Sequence, residues 1–151
     1  MNKSYPIVRQ ASLLGIQIEE LRTAVGWERM SGMYDQILAQ SYTHFSVMDQ
    51  ARLIGFVNVI SDGIGDALLV DLMVHPDYQH QGLGKALLIQ ASNDLRADGI
   101  QLIQVVFEPE LEAFYRECGF HIVKAGIIDN KEWKLNKLPS NLVPKLILRL
   151  R

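Results

Sequence analysis

The segment between residues 68 and 107 constrains the fold more than any other part of this chain. Two apolar stretches, Leu68–Val74 and Leu102–Phe107, predict buried strands. Between them lie a turn, Gln79–Gly84, and a helical pattern from Leu83 to Leu95 in which apolar residues recur every four positions. The order strand, turn, helix, strand predicts a right-handed crossover that makes the two strands parallel.

Patterns on either side of this crossover predict further strands and helices. We expect a helix that ends at Gly26 and a second helix, capped by Ser31, that runs to Gln40. Together these elements predict one mixed α/β (α+β) domain over residues 1–151, with residues 127–151 as a C-terminal extension. The other predicted elements are strands at Tyr5–Gln10, Thr43–Met48, Arg52–Ile60 and Gly119–Lys124 and a short helix at Glu110–Glu117.

Composition excludes several classes of function. A formal charge of −2 disfavours a nucleic-acid partner, because such proteins concentrate basic charge. The lone cysteine, Cys118, rules out an intrachain disulfide and a zinc cluster of thiolates, and the four histidines lack the spacing of a metal site. The chain shows neither a signal core nor an apolar run of about 20 residues, so we expect a cytoplasmic protein with no membrane partner.

The glycine pair Gly82 and Gly84 suggests an anion cradle. Backbone amides are free at a helix start, and glycine lets a phosphate approach closely. The pair alone is weak, because a chain of this length contains roughly one by chance. A dinucleotide fingerprint would need a third glycine at Leu87, and a P-loop would need Ser or Thr at Ala86, so both nucleotide readings fail.

Two motifs in order make the interpretation specific. The segment Asp71–Leu88, DLMVHPDYQHQGLGKALL, resembles the acyl-CoA signature of the GNAT superfamily of N-acetyltransferases. Phe114–Phe120, FYRECGF, resembles the later FYxxxGF motif of that superfamily. Gly26-Trp27, Ser61-Asp62 and the strand with Asp71 are also similar to a subgroup that includes plant serotonin N-acetyltransferase-like proteins.

This resemblance implies a fold and a cosubstrate. The fold would be a mainly antiparallel central sheet, with parallel middle strands that splay apart and helices on both faces. The cosubstrate would be acetyl-CoA, with its pyrophosphate on the amides that begin the helix and its pantetheine arm along the preceding strand. The residues implied in acetyl-CoA binding are Met73, Val74, Gln79, His80, Gln81, Gly82, Leu83, Gly84 and Lys85.

The resemblance also implies direct transfer of the acetyl group to an amine. Tyr115 would protonate the departing thiolate, and the alternative is a half-buried core aromatic residue. Asp71 is the first candidate for the base that deprotonates the amine, and a purely structural role is an equal alternative. Asp62 and Glu28 are second choices for the base.

The acceptor implied by the resemblance would be a small-molecule amine or a peptide amine. Trp27, Met30, Met33 and Tyr34 could line a pocket for an aromatic amine or simply pack the first helices. A different hypothesis is a non-catalytic acyl-CoA sensor or interaction module of the same fold. An interaction module would use Leu146–Leu150 as its docking strand, and the same apolar tail could instead complete the sheet or form a homodimer.

Overall fold

The computed structural model describes residues 4–128 and residue 130. The chain divides into two compact units, with the boundary between Val106 and Phe107, and each is described by itself. Most of the predicted extension, residues 127–151, lies outside the described residues. The docking strand predicted at Leu146–Leu150 lies outside them as well.

The first unit contains a five-stranded mixed sheet. Its strands are β1 (Ile7–Arg9), β2 (Thr43–Asp49), β3 (Arg52–Ser61), β4 (Asp66–Val74) and β5 (Leu102–Val105), and they follow one another in the sheet in sequence order. The first four strands pair antiparallel, and β4 pairs parallel with β5, as the predicted crossover requires. The fold class and mixed sheet predicted above are therefore confirmed.

Four α-helices are present among the described residues. Three belong to the first unit and are α1 (Gly15–Ala24), α2 (Tyr34–Gln40) and α3 (Leu83–Ala97). The fourth, α4 (Glu112–Glu117), belongs to the second unit and follows a 3₁₀ turn at Pro109–Leu111. Another 3₁₀ turn, Pro76–Tyr78, connects β4 to the loop before α3.

The cap predicted at Ser31 is wrong. The α2 helix starts three residues later, and Ser31 and Gly32 both have positive φ, of 31° and 78°, whereas a capping residue has an extended backbone. The cause is tertiary, because the carboxylate of Glu19 on α1 accepts a hydrogen bond from the Gly32 amide and holds a turn there. A sequence pattern cannot show that contact.

The strand predicted at Gly119–Lys124 is also wrong. Residues 120–124 follow α4 without regular secondary structure. A strand exists only where a neighbouring strand satisfies its backbone groups, and none of the described residues pairs with this segment. Alternation of residue types predicted a strand here without identifying such a partner.

Helices cover both faces of the sheet. Phe56 on β3 packs in a buried cluster with Ile18 and Leu21 of α1. The preceding residue, Gly55, faces α3, because a Cβ built on it would lie 3.0 Å from Cδ1 of Leu87. Successive strand residues point to opposite faces, so α1 and α3 lie on opposite sides of the sheet.

Strand β4 contains a bulge and extends beyond β5. Phe56 pairs with Met73 and Asn58 with Val70, so β4 has one more residue than β3 between these pairs. Asp71 lies in this bulge with a φ of 55°. The pairing with β5 ends at Leu69, and residues 70–74 continue past it. The two parallel strands therefore part at the position of the bulge.

Candidate active site

The start of α3 forms an open backbone cradle. The first helical hydrogen bond runs from the Ala86 amide to the Gly82 carbonyl over 2.9 Å, so the amides just before it have no carbonyl one turn earlier in the helix. His80 and Gly82 are both left-handed, with φ of 59° and 80°. A Cβ at Gly82 would meet nothing within 4 Å, so crowding does not require glycine here. Glycine is favoured by the left-handed backbone and by the open space through which a ligand can approach.

The residues predicted to bind acetyl-CoA occupy three environments. Gln79, His80, Gln81 and Gly82 are exposed, whereas Leu83, Gly84, Lys85 and Val74 are half-buried. Met73 is buried in the cluster that packs against α1, and its main chain pairs with Phe56 of β3. The fold thus brings the end of β4 and the start of α3 together through the short turn between them.

Gln79 ties the turn to the end of β4. Its side-chain amide nitrogen, Nε2, donates to the Val74 carbonyl over 2.9 Å. Gln81 makes a longer contact of 3.4 Å from Nε2 to the Asp77 carbonyl. These bonds brace the loop that carries the exposed amides. The pairing of β4 with β5 ends at Leu69. The main-chain groups of residues 70–74 that point towards the β5 side therefore have no partner on that strand.

Asp71 lies in a buried polar cluster on the α1 face. Its Oδ1 accepts from Nη1 of Arg22 over 3.1 Å, and its Oδ2 accepts from the Tyr34 hydroxyl over 2.9 Å. The same Nη1 of Arg22 lies 2.9 Å from the Tyr34 oxygen. Segments from α1, α2 and β4 therefore meet at one carboxylate. We call Arg22, Tyr34 and Asp71 the Asp71 cluster.

The electrostatics of the Asp71 cluster follow from its burial. Burial raises the pKa of the Asp71 carboxyl, and the hydrogen bond from Tyr34 and the charge of Arg22 oppose that rise. Burial, followed by the Asp71 carboxylate, raises the pKa of the Tyr34 hydroxyl. The carboxylate is consequently more basic than an exposed one, while the phenol keeps its proton well above neutral pH.

Arg22 also organises the loop between α1 and α2. Its Nε donates to the Glu28 carbonyl over 3.1 Å, and its guanidinium carbon lies 5.1 Å from the centre of the Trp27 ring.

At the start of α1, the Gly15 amide donates to Oδ1 of Asp35 over 2.7 Å. A Cβ at Gly15 would lie 2.8 Å from the Asp35 amide nitrogen, so this close approach requires glycine.

Tyr115 lies in an aromatic cluster of the second unit. Its ring stacks on Phe107 at a centroid distance of 4.3 Å and meets Phe114 and Phe120 edge-on. Burial raises the pKa of Tyr115 to about 12, with a smaller contribution from Cys118. The phenol is therefore protonated at neutral pH, which a general acid requires.

The two second-choice bases, Asp62 and Glu28, have surroundings that differ from those of Asp71. Oδ1 of Asp62 accepts from the amides of Ile64, Gly65 and Asp66 in the β3–β4 turn, and these bonds hold the pKa of this exposed carboxyl low. Glu28 is exposed, and its main-chain carbonyl accepts from Arg22. The Asp62 carboxylate is therefore a weaker base than a buried one would be.

Sequence reasoning missed two polar residues near Asp71. Arg22 was not singled out, although it is a charged residue between the apolar residues Leu21 and Val25 of the first helix. Asn58 was also missed, and it interrupts the apolar run of β3. A polar residue inside an apolar pattern is the signal that could have identified both.

The family comparison agrees with this arrangement. Residues 40–122, more than half of the chain, match the model of the acetyltransferase (GNAT) domain. The chain belongs to the GNAT acetyltransferase family. The matched range contains the bulged β4, the cradle at α3 and Tyr115. The resemblance deduced from the two motifs is confirmed.

Relatives of this GNAT chain include plastid and plant proteins. It is 34% identical over 109 residues to "Uncharacterized N-acetyltransferase ycf52" of Porphyra purpurea, covering 69% of this chain and 63% of the relative. It is 36% identical over 69 residues to "Serotonin N-acetyltransferase 2, chloroplastic" of Oryza sativa subsp. japonica, covering 46% of this chain and 34% of that protein. The chain thus spans less than two thirds of the length of these curated relatives.

A solved structure supports the same GNAT fold. The GNAT-family acetyltransferase of Streptococcus pneumoniae TIGR4 superposes with a TM-score of 0.73 at 27% sequence identity, covering 85% of this chain and all of that one. In residues 4–128, no helix is long and apolar enough to cross a membrane. The same part of the chain contains no group of three or more side chains suited to hold a metal ion.

Proposed function

We propose that this GNAT chain transfers the acetyl group of acetyl-CoA directly to an amine. The observation that carries the proposal is the junction of β4 and α3. A strand edge extends past its parallel neighbour and leads, through one short turn, to the amides at the start of a 15-residue helix. This junction offers amide-bonding groups and an anion site in the order in which pantetheine and pyrophosphate occur in CoA.

The cradle supplies the pyrophosphate contacts. The amides from Gln81 to Lys85 would donate to the phosphate oxygens, with Gln79 and His80 at the rim. A charge at a helix N-terminus gains about 0.3–1 kcal/mol, and up to about 2 when partly buried. The side chain of Lys85 would add a cationic contact. These residues fit the anionic part of acetyl-CoA.

The edge of β4 would bind the pantetheine arm. Residues 73 and 74 lie where β4 has separated from β5, and the main-chain groups of Val74 point away from β3, so an amide-containing ligand can pair there as an added strand. The Met73 side chain is buried on the α1 face and takes no part in this pairing. The Val74 carbonyl already accepts from Gln79, which leaves its second lone pair for a ligand.

Asp71 is our proposed base, and Tyr115 our proposed acid. A carboxylate has about four acceptor sites, so the bonds from Arg22 and Tyr34 leave Asp71 able to accept an amine N–H. Its raised pKa suits proton abstraction from an ammonium better than that of an exposed aspartate. Tyr115 would return a proton to the CoA thiolate as the amide forms.

The proposed acceptor is a small-molecule or peptide amine. Trp27 lies at the Asp71 cluster against Arg22, so an aromatic group could pack at this end of the site. The rice relative carries serotonin in its name. Aromatic amines are therefore the first compounds to test, followed by polyamines, amino acids and peptides.

Thiol release from acetyl-CoA tests this function. Wild type and Tyr115→Phe would be assayed with the amine panel, while CoA binding is measured by calorimetry. We expect amine-dependent release in the wild type and a loss of roughly 10²-fold or more in the variant, with CoA affinity retained. CoA binding without release for any amine would favour the acyl-CoA sensor instead. Absence of CoA binding would contradict both.

The remaining partners and the compartment are also proposals. We expect neither a nucleic-acid nor a membrane partner, a cytoplasmic location, and either a monomer or a homodimer. Light scattering of the full chain tests the oligomeric state. The same measurement with an excess of duplex DNA tests the expected absence of nucleic-acid binding. Fractionation of the source cells tests the location.

A further inference from the structure

One buried polar atom remains unsatisfied beside the Asp71 cluster. The side-chain oxygen Oδ1 of Asn58 is buried and has no hydrogen-bond partner among residues 4–128 and 130. The whole Asn58 residue is only 1% exposed. A buried acceptor without a partner is expensive, so the great majority of such groups in native proteins are bonded to protein, water or ligand.

Register places Asn58 on the same face as Asp71. Asn58 follows Phe56 by two positions on β3, so its side chain points to the α1 face with that ring. Its partner on β4 is Val70, the residue just before Asp71 in the bulge. The Asp71 carboxylate also lies on the α1 face, because its partners are Arg22 and Tyr34. Asn58 therefore lies one register position from the proposed base.

His44, the polar residue opposite Asn58 on β2, already has a hydrogen-bond partner. Asn58 pairs across the sheet with His44, whose Nε2 donates to the Ala11 carbonyl over 3.0 Å. The acceptors around Val70 that still lack a donor are the Asn58 oxygen and the unused lone pairs of Asp71. Acceptors without donors fit a ligand that brings several N–H groups.

We propose that Asn58 is a specificity-determining residue that binds the N–H groups of the acceptor through Oδ1. The ligand class is a protonated or neutral primary amine with an apolar body. Asn58 Oδ1 takes one N–H, and the Asp71 carboxylate takes another. This inference rests on the proposed amine acceptor, but it concerns recognition and requires no transfer to occur.

A pair of probes isolates the amine. Tyramine and 4-ethylphenol share one ring and one chain and differ only in the amino group. Their dissociation constants would be measured by NMR titration of the CoA-saturated protein. We expect tyramine to bind the wild type more tightly than 4-ethylphenol. In Asn58→Leu this preference should fall about tenfold or more, because a hydrogen bond to a charged donor is lost.

Stability supplies an independent readout. Without ligand, Asn58→Leu should melt roughly 2–4 °C higher than the wild type, because an unsatisfied buried oxygen is replaced by apolar atoms. Asn58→Thr keeps an oxygen acceptor and should retain an intermediate preference for tyramine. The matched control is Ser46→Ala on β2, a buried polar residue on the same face that pairs with Phe56. It should leave the preference unchanged.

The outcomes separate recognition from transfer. An unchanged preference in Asn58→Leu, or a wild type that does not distinguish the probes, would overturn the role of Asn58 even if acetyl transfer is observed. A preference that collapses in Asn58→Leu but survives in Ser46→Ala supports the role, even if no amine is acetylated. Failure of thiol release bears only on the proposed function.

Discussion

The cradle at α3 and the Asp71 cluster are built in opposite ways. The cradle consists of consecutive, largely exposed residues whose backbone would provide the proposed binding groups. The Asp71 cluster consists of buried side chains from three segments, with Arg22 and Asp71 separated by 49 positions in sequence. Damage to the cradle should therefore lower ligand affinity, and it should cost stability only where it strains the local backbone. Damage to the cluster should affect stability first.

The largest effect is expected from Arg22→Ala. Removing Arg22 leaves the Asp71 carboxylate buried without its cation, which costs about 3–5 kcal/mol in comparable pairs. Denaturant unfolding measures the loss in the free energy of unfolding, and CoA affinity should remain within a few-fold of wild type.

Arg116→Ala is the control for that prediction. Arg116 forms an exposed ion pair with Glu112 over 2.8 Å, and such pairs contribute about 0.3–0.5 kcal/mol. The double variant Arg22→Ala with Asp71→Ala should lose less than the sum of the single variants. Additive losses would show that the two residues do not stabilise each other.

Tyr34→Phe tests the cluster by pH. The lost bond to the carboxylate should cost about 1.5–3 kcal/mol at neutral pH. Because the folded state raises the pKa of Tyr34, it holds the proton longer than the unfolded chain. Stability of the wild type should therefore fall as pH rises above about 10, the ordinary tyrosine pKa. In the variant this fall should be shallower.

Tyr115 also affects how stability depends on alkaline pH, and the substitution Tyr115→Phe removes its contribution. Its pKa is also raised, to about 12, so it contributes to the same alkaline loss between roughly pH 10 and 12. Tyr34→Phe should be compared with Tyr115→Phe and with the double variant by urea unfolding at each pH. Equal slopes in all four proteins would rule out the linkage.

Gly82→Ala tests the cradle. An L-residue in the left-handed region costs about 1–2 kcal/mol, and the added methyl group stands where a phosphate approaches. We expect CoA affinity to fall about tenfold, measured by calorimetry. Gly99→Ala is the matched control, because Gly99 also has positive φ and open space around it but ends α3. Similar affinity losses in both variants would contradict the assignment.

The smallest effect is expected from Lys85→Gln. A charge contact to phosphate at a helix start gains about 0.3–1 kcal/mol, so CoA affinity should fall about twofold to fivefold at low salt. The difference should fade in about 1 M salt because the charges are screened. A difference that persists at high salt would indicate that Lys85 acts through the helix conformation instead.

Local sequence determined the cradle and the order of the elements. Helix periodicity located α3, glycine located the left-handed turn before it, and apolar runs located β3, β4 and β5. These features depend on backbone conformation and on neighbours within a few positions. Prediction of the family from the motifs at Asp71–Leu88 and Phe114–Phe120 succeeded for the same reason.

Only the tertiary structure decided the surroundings of Asp71. Alternation along β4 could not say where Asp71 points, because the bulge adds a residue and changes the face. The partners Arg22 and Tyr34 lie on helices whose approach to the sheet depends on packing of the whole α1 face. The Ser31 cap failed for a related reason, since Glu19 holds the loop from a distant position. Contacts between remote segments form only when the core assembles, so no local pattern encodes them.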